Sequence, residues 1–169
     1  MNASAALDTL LARQEVNDLL ARYCRGVDRC DVETLKAVFW PEATTKYGDA
    51  VTNAWEWAEG VASRLKSMLR TQHAISNALV ELDGDQGRGE TYCRAYHEAE
   101  TPGGRVVMMV GGRYLDRYER RQGVWKIIHR TYVMDWNSND PSTAQWDGPM
   151  YGRLSVRGSR FPEDPLYLF

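Results

Sequence analysis

What this chain lacks narrows the field before any motif is read. It has no surplus of either charge: 21 Lys and Arg against 23 Asp and Glu leave a net of −2. The basic footprint of a nucleic-acid binder is therefore missing. No apolar run reaches the length of a membrane span, and Met1–Ala6 has no apolar stretch like that of a signal peptide. Cysteine is scarce. Cys24, Cys30 and Cys93 are odd in number and lack metal spacing, so they read as reduced thiols of a cytoplasmic protein and not as a disulfide framework. There is no Gly-rich phosphate loop, no nucleophile elbow and no His/Cys/Asp pattern of a metal site. Asp83-Gly84-Asp85 lacks the remaining ligands of a calcium loop and fits a hairpin turn better. Phenylalanine is also rare, at 3, against 6 tryptophans and 9 tyrosines. Such a mixture can fill a core, and it also suits a pocket that holds a ring-shaped ligand.

What is present begins with a helix. Leu7, Leu10, Leu11, Val16, Leu19, Leu20, Tyr23 and Val27 recur at steps of three and four, the apolar face of an amphipathic helix. Its last turn carries Tyr23 and Asp28 toward the same buried region. A buried carboxylate needs a partner. Asp28 either caps or salt-bridges a helix end, or it orients a histidine, and His73 is the best candidate in the chain. A second helix opens at Asp31 as N-cap, with Glu33 adding charge that suits the dipole. Val32, Leu35, Val38, Phe39 and Trp40 form its apolar face, and Pro41 is expected to stop it. Residues 42–54 read as a short extended pair turning at Gly48-Asp49, and Trp55–Leu69 as a third helix.

The pattern then changes to strands. His73–Leu82, Gly89–Glu100, Arg105–Arg120 and Val124–Asn137 are separated by the turn signals Asp83–Gly87, Thr101–Gly104 and Arg121–Gly123. Gly111-Gly112 suggests a bulge or sharp bend in a curved sheet. Three helices followed by an antiparallel meander define an α+β layer fold, a cone-shaped sheet with helices enclosing a pocket. Residues 1–137 make up the cone. Residues 138–169 hold four of the six prolines and read as an extended tail that wraps over the pocket mouth or a neighbouring subunit.

The run Leu20-Ala21-Arg22-Tyr23-Cys24-Arg25-Gly26-Val27-Asp28-Arg29-Cys30-Asp31, with Leu35, Phe39 and Pro41-Glu42-Ala43 behind it, resembles the SnoaL-like branch of the nuclear-transport-factor-like superfamily. The similarity continues through Thr71-Gln72-His73, Gly112-Arg113-Tyr114, Tyr118-Glu119-Arg120, Gly123-Val124-Trp125-Lys126-Ile127 and His129-Arg130. Members of that superfamily include scytalone dehydratase, bile acid 7α-dehydratase, hexachlorocyclohexane dehydrochlorinase, ketosteroid isomerase-like and polyketide cyclase-like proteins. The resemblance implies a cone fold and a His73–Asp28 pair acting as general base. It matches Tyr23 to a tyrosine that holds a substrate oxygen or assists the leaving group, and Arg130 to an arginine that helps the leaving group. Tyr47 corresponds to a carbonyl-polarising tyrosine and His97 to a second histidine that is a possible acid for a departing hydroxyl. Trp40, Met108 and Trp136 join Tyr47 and His97 as candidate substrate-binding residues.

The expected activity is that of a cofactor-independent lyase with no metal. A carboxylate on one ring nitrogen fixes the histidine tautomer and leaves the other nitrogen to accept a proton near neutral pH. The substrate is expected to be small and hydrophobic, aromatic or cyclic, losing water or halide, or formaldehyde by retro-aldol cleavage. An isomerase or polyketide cyclase-like enzyme is the first alternative. A non-catalytic module like the small subunits of ring-hydroxylating dioxygenases is the second. Neither nucleic acid nor membrane is an expected partner, and a homo-oligomer, a trimer by the resemblance, is expected.

Overall fold

The computed structural model describes residues 3–169, so Met1 and Asn2 of the Met1–Ala6 segment read above lie outside the described residues. Helix α1 (Ala3–Arg29) is followed by α2 (Val32–Ala37), strands β1 (Phe39–Tyr47) and β2 (Ala50–Asn53), and helix α3 (Ala54–Lys66). Four long strands then run β3 (Arg70–Asp83), β4 (Gln86–Thr101), β5 (Gly104–Arg121) and β6 (Val124–Pro141). A short helix α4 (Gly148–Tyr151) and a 3-10 turn at Pro165–Leu168 lie in the C-terminal segment. The strands form one six-stranded sheet in the order β2-β1-β6-β5-β4-β3. All neighbours are antiparallel except β1 and β6, which pair in parallel and carry the chain from the hairpin side of the sheet onto the meander.

The junction of α1 and α2 places Asp28. Cys30 takes φ +52, the left-handed conformation that ends many helices, while the Asp31 N–H donates back to the Gly26 carbonyl at 2.9 Å. Asp31 then caps α2 as its side chain accepts from the Thr34 N–H at 3.0 Å. A Cβ on Gly26 would come within 3.0 Å of the Leu35 side chain, so glycine is what lets the two helices meet this closely.

Three local expectations need correction. Helix α2 ends at Ala37, and Phe39, Trp40 and Pro41 belong to β1. The proline is tolerated there because the β1–β6 register breaks between Phe39 and Thr44, where no ladder hydrogen bond needs its missing N–H. Leu7, Leu10 and Leu11 remain 55–62% exposed, because the apolar stripe of α1 is covered only from Ala12 onward. The third helix stops at Lys66, where the Ser67 N–H folds back onto the Arg64 and Leu65 carbonyls.

The expected bend lies at Gly111-Gly112. There the β5–β6 register shifts by one residue, leaving Asp135 without an opposite number. A Cβ on Gly112 would stand 2.2 Å from the Val133 carbonyl oxygen, and one on Gly111 2.1 Å from the Trp136 ring. Only glycine lets these backbones close up, and the sheet curls at this point around the helices. The core fills the concavity with Val16, Leu19, Tyr23 and Val27 of α1, Leu35, Phe39, Ala58 and Leu65, and Tyr114, Tyr118, Trp125 and Ile127 of the sheet.

Candidate active site

Strand alternation sets the concave face in layers, because opposite residues on neighbouring strands share a face. Deepest in this part of the cone lies the row Thr45, Arg130, Asp116. Above it come Tyr47, Tyr132, Tyr114 and Thr91. Nearer the mouth stand His73, Ala95 and Val110, and then Thr71, His97 and Met108. A cavity of about 170 Å³ opens between these layers and the helices. It is lined by Tyr23, Tyr47, Trp57, Tyr114 and Tyr132 at one end and by His73, His97 and Cys93 on the sheet side, with Val27, Val61, Leu65 and Met68 closing it from the helices.

Asp28 and His73 meet. The Asp28 carboxylate accepts the His73 backbone N–H at 3.0 and 2.9 Å and the ring Nδ1–H at 2.7 Å. A carboxylate can only accept, so Nδ1 carries the proton and Nε2 is the basic nitrogen. Nε2 has no protein partner among the described residues. Both side chains are about 90% buried, which strengthens the pairing.

Beside it, the His97 ring stands edge-on at 5.3 Å between centroids, and its buried Nδ1 has no hydrogen-bond partner among the described residues. Burial, with His73 close by, pushes the His97 pKa down to about 4. His97 is therefore a neutral imidazole near pH 7.

At the opposite end the Tyr23 and Tyr47 hydroxyls share a hydrogen bond of 2.7 Å. One of them donates, so the other keeps a proton to offer a ligand. Tyr47 stacks on Trp57 at 4.6 Å and on Tyr132 at 5.3 Å, which fixes its ring. Burial raises the Tyr23 pKa to about 12, opposed by the nearby Arg130 charge, and likewise lifts that of Tyr47 well above the ordinary phenol value. Both are un-ionised phenols.

Arg130 lies beneath this layer and does not line the cavity. It is fully buried, with Nε and Nη2 donating to the two Asp116 oxygens at 2.7 Å each. Its guanidinium sits 4.0 Å from both the Tyr23 and Tyr114 ring centroids. The salt bridge pairs its charge while Nη1 has no hydrogen bond among the described residues, and its faces carry the Tyr23 and Tyr114 rings.

Three candidate contacts fall elsewhere. Trp40 donates its Nε1–H to the Glu119 carbonyl and lies between Arg121 and Lys126, outside the cavity. Trp136 packs over Gly111 on the face opposite Val110 and is 47% exposed. Met108 pairs with His97 and shares the concave face, but sits further toward the rim than the enclosing residues. Residues not singled out from the sequence are Asp116, Tyr114, Tyr132, Trp57 and Cys93. Tyr114 lies within the quoted Gly112-Arg113-Tyr114 motif, which was the available signal. Among the described residues, no group of three or more His, Cys, Asp or Glu could hold a metal ion, and no helix is long and apolar enough to cross a membrane.

An α+β cone whose pocket presents a carboxylate-held histidine opposite a tyrosine pair defines the class. Residues 8–131 match the SnoaL-like domain, and the chain belongs to that family. It is 25% identical over 138 residues to hexachlorocyclohexane dehydrochlorinase 1 of Sphingobium indicum, covering 77% of this chain and 86% of that protein. The crystal structure of a type 2 hexachlorocyclohexane dehydrochlorinase superposes with a TM-score of 0.73 at 23% identity, over 86% of this chain and 99% of the other. A putative scytalone dehydratase from Novosphingobium aromaticivorans gives 0.67 at 17% identity, over 84% and 95%. The structural likenesses confirm the α+β cone.

Proposed function

We propose that this protein is a cofactor-independent lyase in which His73 Nε2 removes a proton from a small cyclic or aromatic substrate. One observation carries the reading. The Asp28 carboxylate grips His73 by both its backbone N–H and its Nδ1, leaving the other ring nitrogen unbonded on a residue that lines the aromatic-walled cavity. Asp28 holds the tautomer and stabilises the imidazolium that forms. The electron pair of the broken C–H bond becomes the new double bond as a leaving group departs with its own pair. A cavity of about 150 Å³ accommodates benzene. The 170 Å³ here suits one six-membered ring with small substituents.

Water and halide elimination share this first step, as does retro-aldol loss of formaldehyde if the proton comes from a hydroxyl. Halide leaves without needing an acid, whereas hydroxide needs one. With His97 neutral and burial holding both tyrosine hydroxyls well above the ordinary phenol range, the cavity is poor in acids, which favours a leaving group that departs as an anion. The 25% identity to a dehydrochlorinase is in keeping with that preference.

A panel of chlorinated cyclohexanes, cyclic alcohols and aryl-propane diols, assayed for free halide, loss of water and formaldehyde, tests the proposal. The wild type is expected to release one of these products, and the His73→Ala variant to lose that release by about 10²-fold or more. Equal release by both would contradict it.

A further inference from the structure

We propose that Arg160, in the C-terminal segment, is a positioning residue for the Asp28–His73 pair, so that the tail is a working part of the site. The inference rests on the reading of that pair as the base. Asp28 lies in the last turn of α1, where backbone carbonyls have no partner within the helix. Arg160 Nη1 donates to the Asp28 carbonyl oxygen and, at 2.8 Å, to Thr71 Oγ1. Its Nη2 donates to the Leu65 and Met68 carbonyls at 3.2 and 3.3 Å. One guanidinium therefore joins the end of α1, which carries Asp28, to the start of β3, which carries His73, and to the end of α3, which roofs the cavity. Its charge also faces the negative ends of both helix dipoles. A planar fork can span four acceptors in this way, and a lysine ammonium cannot.

The rest of the tail holds the fork in place. The Phe161 N–H donates to the Arg29 carbonyl at 2.7 Å, Asp164 pairs with Arg29 at 3.0 Å, and the Tyr167 hydroxyl donates to Asp31 at 2.9 Å. Asp164 in turn accepts the Ser159 N–H beside Arg160 at 2.7 Å. Tail and α1–α2 junction are thus tied at several points around Asp28. The carboxylate reaches His73 only while the two backbones keep this spacing. Displacements of about 1 Å in such a site typically cost on the order of 10²-fold in rate.

The test reads the pair itself and needs no substrate. In proton NMR, the His73 Nδ1–H, bonded to a carboxylate and shielded from water, should give a far-downfield resonance, assigned by its disappearance in His73→Ala. In Arg160→Ala this proton should exchange with water at least about tenfold faster, in line with a loosened charge-assisted hydrogen bond. Arg160→Lys should fall between the two, and melting curves establish which variants are folded. If a folded Arg160→Ala, or Arg160→Lys where the alanine variant does not fold, exchanges at the wild-type rate, the positioning role is refuted. Absence of the resonance in the wild type would refute the paired base itself and, with it, this inference. The two failures are thereby distinguished.

Discussion

Replacing Asp116 by Asn keeps the shape of the cone floor and removes one charge. Asp116 accepts from Arg130 Nε and Nη2 at 2.7 Å each, and both side chains are 0% exposed. The remaining Nη1 has no hydrogen-bond partner among the described residues, and the planar faces are covered by Tyr23 and Tyr114 at 4.0 Å. The variant would leave a fully buried cation without the carboxylate that pairs it. Removing one partner of such a buried pair costs about 3–5 kcal/mol. With a urea m-value of about 2 kcal/mol/M, the unfolding midpoint should drop by about 2 M at unchanged slope. The triple variant Arg130→Met, Asp116→Leu, Tyr118→Phe removes both charges and the buried hydroxyl that donates to Asp116 at 3.1 Å, and should lie within about 1 kcal/mol of the wild type, because desolvation of the ion pair no longer opposes burial. Urea titrations followed by tryptophan fluorescence read both values. If Asp116→Asn moved the midpoint by less than about 0.5 M, Arg130 would not depend on Asp116, and the layered account of the cone floor would be wrong.

His97 should make the fold sensitive to acid. Its folded pKa of about 4 lies below the ordinary 6.5, so the unfolded chain binds more protons between those values, and stability is full above pH 6.5 and falls as pH drops toward 4. The loss approaches about 3 kcal/mol before solvent screening reduces it, and His97→Gln should flatten melting temperature against pH across this window; an unchanged slope would refute the assignment. Turnover should survive exhaustive dialysis against a chelator, and a loss reversed by one specific metal ion would contradict the cofactor-free proposal. Light scattering at micromolar concentration should give a multiple of the chain mass, with a trimer expected, and a sharp monomer mass would count against self-association.

Much of the fold was legible in the sequence because its signals are local. The periodicity of α1 from Val16 onward, the Asp31 cap and the turns at Asp83–Gly87 and Arg121–Gly123 each follow from a few neighbouring residues. The exposed Leu7, Leu10 and Leu11 show where that reasoning stops, since periodicity names a face and not what lies opposite it. Asp116 shows the same limit in the site. Counting back from the Arg121–Val124 turn sets Asp116 opposite His129, and a one-residue bulge between Arg117 and Tyr118 moves it opposite Arg130. Such a shift exchanges the faces of every residue beyond it. For Asp28 and His73, the need of a buried carboxylate for a partner left a cap or salt bridge open beside the pair, and the resemblance to the SnoaL-like branch singled the pair out. Trp40 and Trp136 were misplaced because an aromatic side chain does not reveal from sequence which face of a strand it occupies. The Arg160 contacts span 132 residues back to Asp28, a distance no local pattern covers.

The central claim is that Asp28 and His73 act as one base, and a double-mutant cycle on the first substrate found tests it most directly. His73→Ala removes the base, and Asp28→Asn keeps the shape while taking away the charge that steadies the imidazolium. Each should lower turnover by about 10²–10⁴-fold. The double variant should be little slower than the poorer single one, because groups that work as a unit are non-additive. A folded His73→Ala protein that retains near-normal turnover, or single losses that simply multiply in the double variant, would contradict the account.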